Sequence, residues 1–396
     1  MADTPLSMST IANALKYWYL DGLRYQLNEA GSQFLAQLER TSEHVEGYKI
    51  KMGIGYGVTG GIGNRSDTGT LPTVNPRKFV QAEWETLNLF ARIQVSDKAI
   101  EASRSSRGAF VAALTHELEK AEIDAKRDLS RQVMGDGTGA LGTITAVSSV
   151  STTHTLTFSS VKNFFEGQLV DLYDAGDGAG TTKDTSEAEI TLVDRDNSTV
   201  TLVAAHTPVI GDKLYLAGNY GLEITGVAKV MTADNTLYGL DRSATYKFFN
   251  PMIKAVSAEI SEIKIQEGFD DCEDETGNVI NFLMAEKGVK RAYQNLLAAM
   301  KQIVNTIELK GGFSAISFSG IPLVGDKYCA SGELLGVSLA NWKLYELADW
   351  DWMDRDGNVL TRVSQKPVYE ATLRKYCDLG CDLPRGQVKF TGITRH

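Results

Sequence analysis

Apolar residues recur every three or four positions from Phe110 to Val133, through Leu114, Leu118, Ala121, Ala125 and Leu129. That period places them on one face of a helix. The other face carries Glu117 with Lys120, Glu122 with Lys126 and Asp124 with Arg127, spaced as ion pairs on a helix surface. Gly135-Asp-Gly-Thr-Gly139 ends the pattern, because glycine turns out of a last helical residue at little cost. A helix of about 25 residues is ~38 Å long, and one-sided burial over that length means that it lies across something broad.

Elsewhere the period changes. Val289, Tyr293, Leu296, Leu297, Met300 and Val304 mark a second amphipathic helix. Leu15, Tyr19, Leu23 and Leu27 mark a helical face in a leading segment that otherwise reads as an arm. Between 143 and 230 the chain breaks into short β-branched runs: 143–147, 155–158, 168–173, 189–193, 198–203 and 213–216. Turn clusters at 174–180, 194–197 and 210–212 separate them, which predicts a small all-β module inserted in the chain. Residues 79–95 alternate loosely, through Phe79, Trp84, Leu87, Leu89, Ala91, Ile93 and Val95, as a strand does. Val368, Ala371, Leu373 and Tyr376 repeat that habit before the closing run Gln387–Ile393.

Residues 49–78 fit neither period. Gly53-Ile-Gly-Tyr-Gly-Val-Thr-Gly-Gly-Ile-Gly63 supports no helix and supplies no core. With the strand-like residues on either side it predicts a long β-hairpin with a glycine-rich tip. Lys49, Lys51, Arg65, Arg77 and Lys78 stand there against Asp67 alone, a local charge of +4 in a chain of net charge −10.

The 396 residues are too many for one ordinary core and predict two or three domains. Hydrophobic residues at 43% and charged residues at 23% are ordinary for a globular chain, and 37 glycines against 8 prolines mean many turns. The net charge argues against a protein whose main task is to grip nucleic acid, although such a chain can enclose DNA that does not stick to it. No run of apolar residues approaches the ~18 that a membrane span needs, and Met1 to Thr10 lacks the basic and apolar regions of a secretory signal.

Chemistry-bearing patterns are few. Cys272, Cys329, Cys377 and Cys381 form no C-x-x-C, the five histidines (His44, His116, His154, His206, His396) are scattered, and buried reduced thiols are expected rather than a zinc site. Gly55-Tyr-Gly-Val-Thr-Gly60 matches G-x-G-x-x-G, but no apolar helix follows to hold a pyrophosphate. In Asp349–Gly357, placing Gly357 at the sixth position of a calcium loop puts Trp352 and Val363 at ligand positions, so a charged hairpin turning at Asp356-Gly357 is expected. No histidine lies near a G-x-S-x-G elbow, and no catalytic residue, metal or cofactor is expected. Glu267–Glu275 packs six carboxylates into nine positions; the first expectation is a solvated loop, the second a docking surface for something basic.

The order of these parts resembles that of the HK97-fold major capsid proteins of tailed bacteriophages. The resemblance is carried by Ala91–Ala102 leading into the long helix, by Asp128 and the exit Gly135–Gly142, by Phe318–Lys327, and by Tyr369–Ile393. It implies an α+β, HK97-like capsid fold with an N-terminal arm (1–48) and an extended loop or E-loop (49–95). A peripheral domain with its spine helix follows (96–142, the helix at 106–134), then the inserted β domain (143–230). The axial domain with remaining peripheral elements (231–375) and a C-terminal return (376–396) complete it. The implied function is that of a shell subunit and not an enzyme. It forms hexamers and pentamers of an icosahedral head in the virion, assembled in host cytoplasm and enclosing double-stranded DNA without reading its sequence. The implied partners are other copies of the chain, a separate scaffolding protein, a portal protein and a decoration protein, with no membrane. Some relatives crosslink an E-loop lysine to a neighbour's asparagine. Here the tip offers Asn64 and Arg65 while the lysines sit at the base, so crosslinking is not expected. Intersubunit contact is expected between Lys49, Lys51, Asn64, Arg65, Arg77 and Lys78 on the hairpin and Asp270, Asp271, Glu273, Asp274 and Glu275 on a neighbour. The competing expectations are a tail-tube or decoration subunit, and an enzyme with a β substrate-binding domain.

Overall fold

The structure, a computed structural model, describes residues 32–97, 107–174, 182–299, 306–309, 313–354, 357, 359–363 and 366–396. Two compact units divide the chain: Met1–Met134 with Gly226–His396, and Gly135–Thr225. The helical face expected from Leu15 to Leu27 lies outside the described residues.

In the larger unit the chain enters through a one-turn helix, α1 (Gln33–Gln37), capped by the Ser32 hydroxyl. Phe34 is fully buried, edge-on to Trp342 at 5.6 Å. Glu39–Thr41 then pairs in parallel with Lys343–Tyr345. The last part of the expected arm is therefore built into a sheet. That sheet is dominated by Trp342–Trp352 and Val368–Cys381, with Leu87–Ser96 running antiparallel along Val368–Cys377.

The ribbon is shorter than the expected hairpin. Its strands are Lys49–Tyr56 and Lys78–Glu85, in register from Lys49 opposite Glu85 to Tyr56 opposite Lys78. The continuous strand expected over 79–95 breaks at Thr86, whose N–H and hydroxyl both donate to the Tyr48 carbonyl and close the ribbon's base. The buried positions change phase there, from Ala82, Trp84 and Thr86 to Leu89.

The long helix is α2 (Arg107–Met134, 28 residues). Leu118, Ala125, Leu129 and Val133 are buried as the stripe requires, and Asp124 pairs with Arg127 at 2.6 Å. Glu122, expected on the charged face, is buried, because 118, 122, 125 and 129 follow one helical row.

After a one-turn helix, α3 (Val227–Val230), residues 229–250 coil around Arg242, which is fully buried. Its guanidinium donates to the carbonyls of Lys229, Val230, Thr232 and Phe249 and to Asn235 Oδ1. Burial pushes it down to about 10, so it stays charged at neutral pH.

A seven-stranded sheet follows, in the order 252–255, 388–391, 334–337, 282–285, 321–325, 313–318, 306–309. Two helices, α4 (Glu262–Thr276) and α5 (Lys287–Ala299), contribute Ile265, Cys272, Val289, Tyr293 and Leu297 to its core. All four residues of the central strand Phe282–Ala285 are buried. Met300 and Val304 of the expected second helix lie outside the described residues.

Two expectations need correction. The acidic run Glu267–Glu275 is helical, within α4, and not a loop. Ser261 caps its first turn, Gly277 ends it at φ 69°, and Gly268 lets it sit so close to Phe390 that a Cβ would lie 2.5 Å from that ring. Among the described residues, the strands flanking the expected charged hairpin do not pair with each other. Gly357 does turn at φ 79° with its N–H on the Asp354 carbonyl, but Trp342–Trp352 and Thr361–Arg362 pair with Val368–Cys381 and not with each other. Asp356 lies outside the described residues.

The smaller unit is a closed six-stranded barrel in the order 199–203, 153–158, 140–150, 213–216, 169–173, 182–194. All six β-branched runs are strands of it. The core holds Leu156, Phe164, Val170, Ile190, Val200, Leu202 and Leu214. The unit spans 135–225, where the sequence suggested 143–230, since its first strand begins at Ala140 and Val227–Val230 belongs to the other unit. All four cysteines are buried free thiols.

Candidate interaction surfaces

The ribbon divides chemically along its length. At its base Lys49 meets Glu83 at 2.5 Å and Lys51 meets Glu46 at 2.8 Å. The hydrogen bond and charge of each carboxylate raise the lysine's pKa, and each lysine lowers its partner's. The two lysines are thus partnered within the chain. Aromatic stacking seats the ribbon's mid-length: Tyr56 lies parallel to Phe248 at 4.6 Å and edge-on to Tyr246 at 6.2 Å.

Beyond Tyr56 the residues are mostly uncovered. Arg65 folds back, donating to the carbonyls of Thr70 and Asn64, both at 2.9 Å. Asn64, Arg77 and Lys78 are exposed. So are five large apolar side chains, Val58, Ile62, Leu71, Val74 and Phe79, each at least 77% exposed. Charge counting drew attention to the cations and missed these. Their signal was available, as apolar residues in a stretch whose glycines leave nothing to bury them.

The acidic candidates lie on α4, and their charges differ in availability. Asp271 is bonded to Lys254, an interaction that raises the lysine. Glu275 accepts both arms of the Arg385 guanidinium, at 2.8 Å on one side. Asp270 accepts from Gln266 at 2.6 Å. Glu273 and Asp274 are exposed, and so is Ile263 on the same helix, at 80%. The structure does not bring the hairpin cations and the α4 carboxylates into one intramolecular site.

Among the described residues no three His, Cys, Asp or Glu side chains are grouped to hold a metal ion, and no helix is long and apolar enough to cross a membrane.

An extended ribbon, a long helix, a helix-covered mixed sheet and a second sheet that takes in the late strand Val368–Cys381 together make the HK97-type capsid fold. The chain is similar to the cyanophage A-1(L) capsid asymmetric unit, with a TM-score of 0.55 and 11% identity, over 94% of this chain and 93% of that one. Weaker likenesses are to the capsid of an empty GTA particle (TM-score 0.47, 10% identity, 91% and 90% covered) and to Mycobacterium phage Bobi (0.44, 11%, 98% and 99%). No family model matches the chain, and neither does any curated protein.

Proposed function

We propose that this chain is a major capsid protein, which assembles into hexamers and pentamers of an icosahedral phage head enclosing double-stranded DNA. It acts through interfaces and not through catalysis. One observation carries the reading: a β-ribbon that is partnered at its base and bare at its tip. Exposed apolar side chains, four on a glycine-rich tip and Phe79 on the strand leaving it, are a liability to an isolated subunit. Covered by a neighbour, each contributes about 1.5–3 kcal/mol of burial before ordering costs. Closing the contact around a ring multiplies a modest interaction into a lattice.

Within that reading, Arg65, Arg77 and Lys78 meet the Glu273 and Asp274 face of α4 on the adjacent subunit. Lys49, Lys51, Asp271 and Glu275, already partnered, support the two surfaces from within, while Asn64 and Asp270 lie at their rims. The domain roles follow the same scheme: α2 is the spine, the Lys49–Glu85 ribbon the E-loop, and the barrel an inserted domain. A scaffolding protein directs assembly, with portal and decoration proteins completing the head.

Negative-stain electron microscopy of the purified chain, alone and with its scaffold, tests the proposal. Closed shells of uniform size, or rings of five and six, support it. Helically stacked tubes point instead to a tail subunit, and monomers under every condition overturn it.

A further inference from the structure

The barrel unit carries most of the chain's negative charge. Residues 135–225 hold twelve Asp and Glu against four Lys and Arg, a net −8 of the chain's −10. Yet the runs 137–161 and 197–211 contain none of these four residue types. Three adjacent barrel strands fall within them: Ala140–Val150, Thr153–Phe158 and Thr199–Val203. Their registers set Ser148, Thr155 and Thr201 side by side, with Val150, Thr153 and Val203 in the next row. The row on the other side, at 146, 157 and 199, is alanine and two threonines. These nine residues face outward, because they alternate with inward residues such as Leu156, Val200 and Leu202, which fill the barrel core. His154, the one ionisable side chain in the three strands, is buried against Ser149 Oγ at 2.7 Å and the Ala204 carbonyl at 3.3 Å.

The neutral surface continues onto the next strand at Leu192, opposite Thr201 and 53% exposed. Asp194, opposite Thr199 at the corner, is spent on its own turn: it accepts from the Asp196 and Asn197 N–H groups at 3.0 Å and from the Asn197 amide at 2.7 Å. About a quarter to a third of a soluble surface is ordinarily charged, so a face without charge on a unit of −8 needs a reason. It also loses little on leaving water. Its β-branched side chains have few rotamers to give up, and the Thr155 and Thr201 hydroxyls already bond each other at 3.3 Å. Val150 is 77% and Val203 48% exposed, so apolar area is there to be covered. Charge decides by what. A basic partner is drawn to the faces that hold the carboxylates, whereas a second copy of the chain is repelled by them. On the neutral face two such barrels meet without setting like charges against each other.

We propose that this face pairs with the same face of a second copy, barrel against barrel. Three strands about 4.8 Å apart and five residues long cover roughly 15 by 17 Å, well under the ~800 Å² per partner of a standard stable interface. The pair is therefore weak by itself, and repetition in a lattice would multiply it. It needs a second copy of the chain but not a shell.

The test is analytical sedimentation of the full-length chain carrying Arg77→Glu and Lys78→Glu, which keeps the ribbon's cations out of the contact. A reversible monomer–dimer equilibrium is expected as the concentration rises to about 0.2 mM, a range that reads weak association. In a two-fold contact the central residue meets its own copy. Thr155→Glu and Thr155→Lys should therefore each loosen the pair about tenfold or more, because like charges are then opposed across it. An equal mixture of the two variants should pair again. Circular dichroism establishes that each is folded, and Thr201→Glu with Thr201→Lys serve where those at 155 are not. The proposal is overturned by absence of a dimer at about 0.2 mM, by variants that pair as the parent does, or by a lysine variant that associates alone as tightly as the mixture. Microscopy of the unsubstituted chain reads shell formation separately: shells without this pair sink only the pairing, and pairs without shells sink only the shell.

Discussion

Arg242→Met is the most demanding test of how the larger unit is held together. The methionine keeps much of the side-chain volume but removes all five donors that bind the 229–250 coil. Four backbone carbonyls and Asn235 Oδ1 lose a partner inside a site with no exposed surface on the arginine. A buried acceptor left unsatisfied costs about 1–3 kcal/mol. Some relief comes from relaxation and from no longer burying a charge, so a net loss of about 4 kcal/mol is expected. At roughly 2–4 °C per kcal/mol for a unit of this size, the thermal midpoint should fall by about 8–16 °C. The assay can be made specific to one unit. Four of the five tryptophans, Trp84, Trp342, Trp350 and Trp352, lie in the described part of the larger unit, Trp18 lies outside the described residues, and none occurs between 135 and 225. Tryptophan fluorescence of the dilute chain thus follows the larger unit. The fluorescence midpoint should drop accordingly. A fluorescence shift corresponding to less than about 1 kcal/mol would refute the reasoning, since those carbonyls would then be satisfied without the guanidinium.

Three further outcomes are expected. Gly380→Ala drives a Cβ into the Tyr345 ring and to 3.0 Å from Trp84, so overpacking should cost about 1–3 kcal/mol and perturb Trp84 emission; an unchanged urea midpoint would contradict the packing. Burial opposes ionisation of Asp349, but Lys375 and Arg40 outweigh it and hold the carboxyl below its usual 3.8. The stability it contributes is whole above about pH 4 and lost as pH falls through the lowered value, so Asp349→Asn should flatten the acid limb of a fluorescence–pH curve. Arg77→Glu with Lys78→Glu should impair shell assembly with the subunit's circular dichroism unchanged, and Glu273→Lys with Asp274→Lys in the same chain should restore it. Failure of that restoration would remove α4 as the docking face.

What could be read from the sequence depended on whether each element stands on one dominant periodicity. The barrel strands were legible because each is short, β-branched and bounded by turn residues, and closure makes every strand bury one face. Much of α2 was legible from one long stripe. Helix α4 was not, because its buried row is Ile265, Gly268 and Cys272, in which only one residue is large and aliphatic, while six carboxylates dominate the window. Its flanking Ser261 and Gly277 were the better evidence, as cap residues placed a helix's length apart. The break at Thr86 was hidden for another reason. The β period continues on both sides, and only the bonds to Tyr48 reveal that one strand has become two. For the ribbon, summing charge from Lys49 to Lys78 stops short of Glu83, the residue that neutralises Lys49 across the strands. Neighbours in a sheet are set by register, which a sum along the chain does not see.

That neutralised base changes which force should hold the proposed subunit contact. With Lys49 and Lys51 committed within the chain, the ribbon brings Arg65, Arg77 and Lys78 to a neighbour, and exposed ion pairs contribute about 0–1 kcal/mol each. The five bare apolar side chains offer about 1.5–3 kcal/mol each before ordering costs, so burial outweighs charge in affinity. Charge retains the role it plays best between exposed surfaces, choosing the partner face and speeding encounter. The two contributions respond oppositely to a kosmotropic salt such as sulfate, which screens ion pairs and strengthens apolar burial. Assembly should therefore slow as sulfate is added, yet the shells once formed should resist dissociation better. Shells that fall apart on adding sulfate would mean that the cations, and not Val58, Ile62, Leu71, Val74 and Phe79, carry the contact.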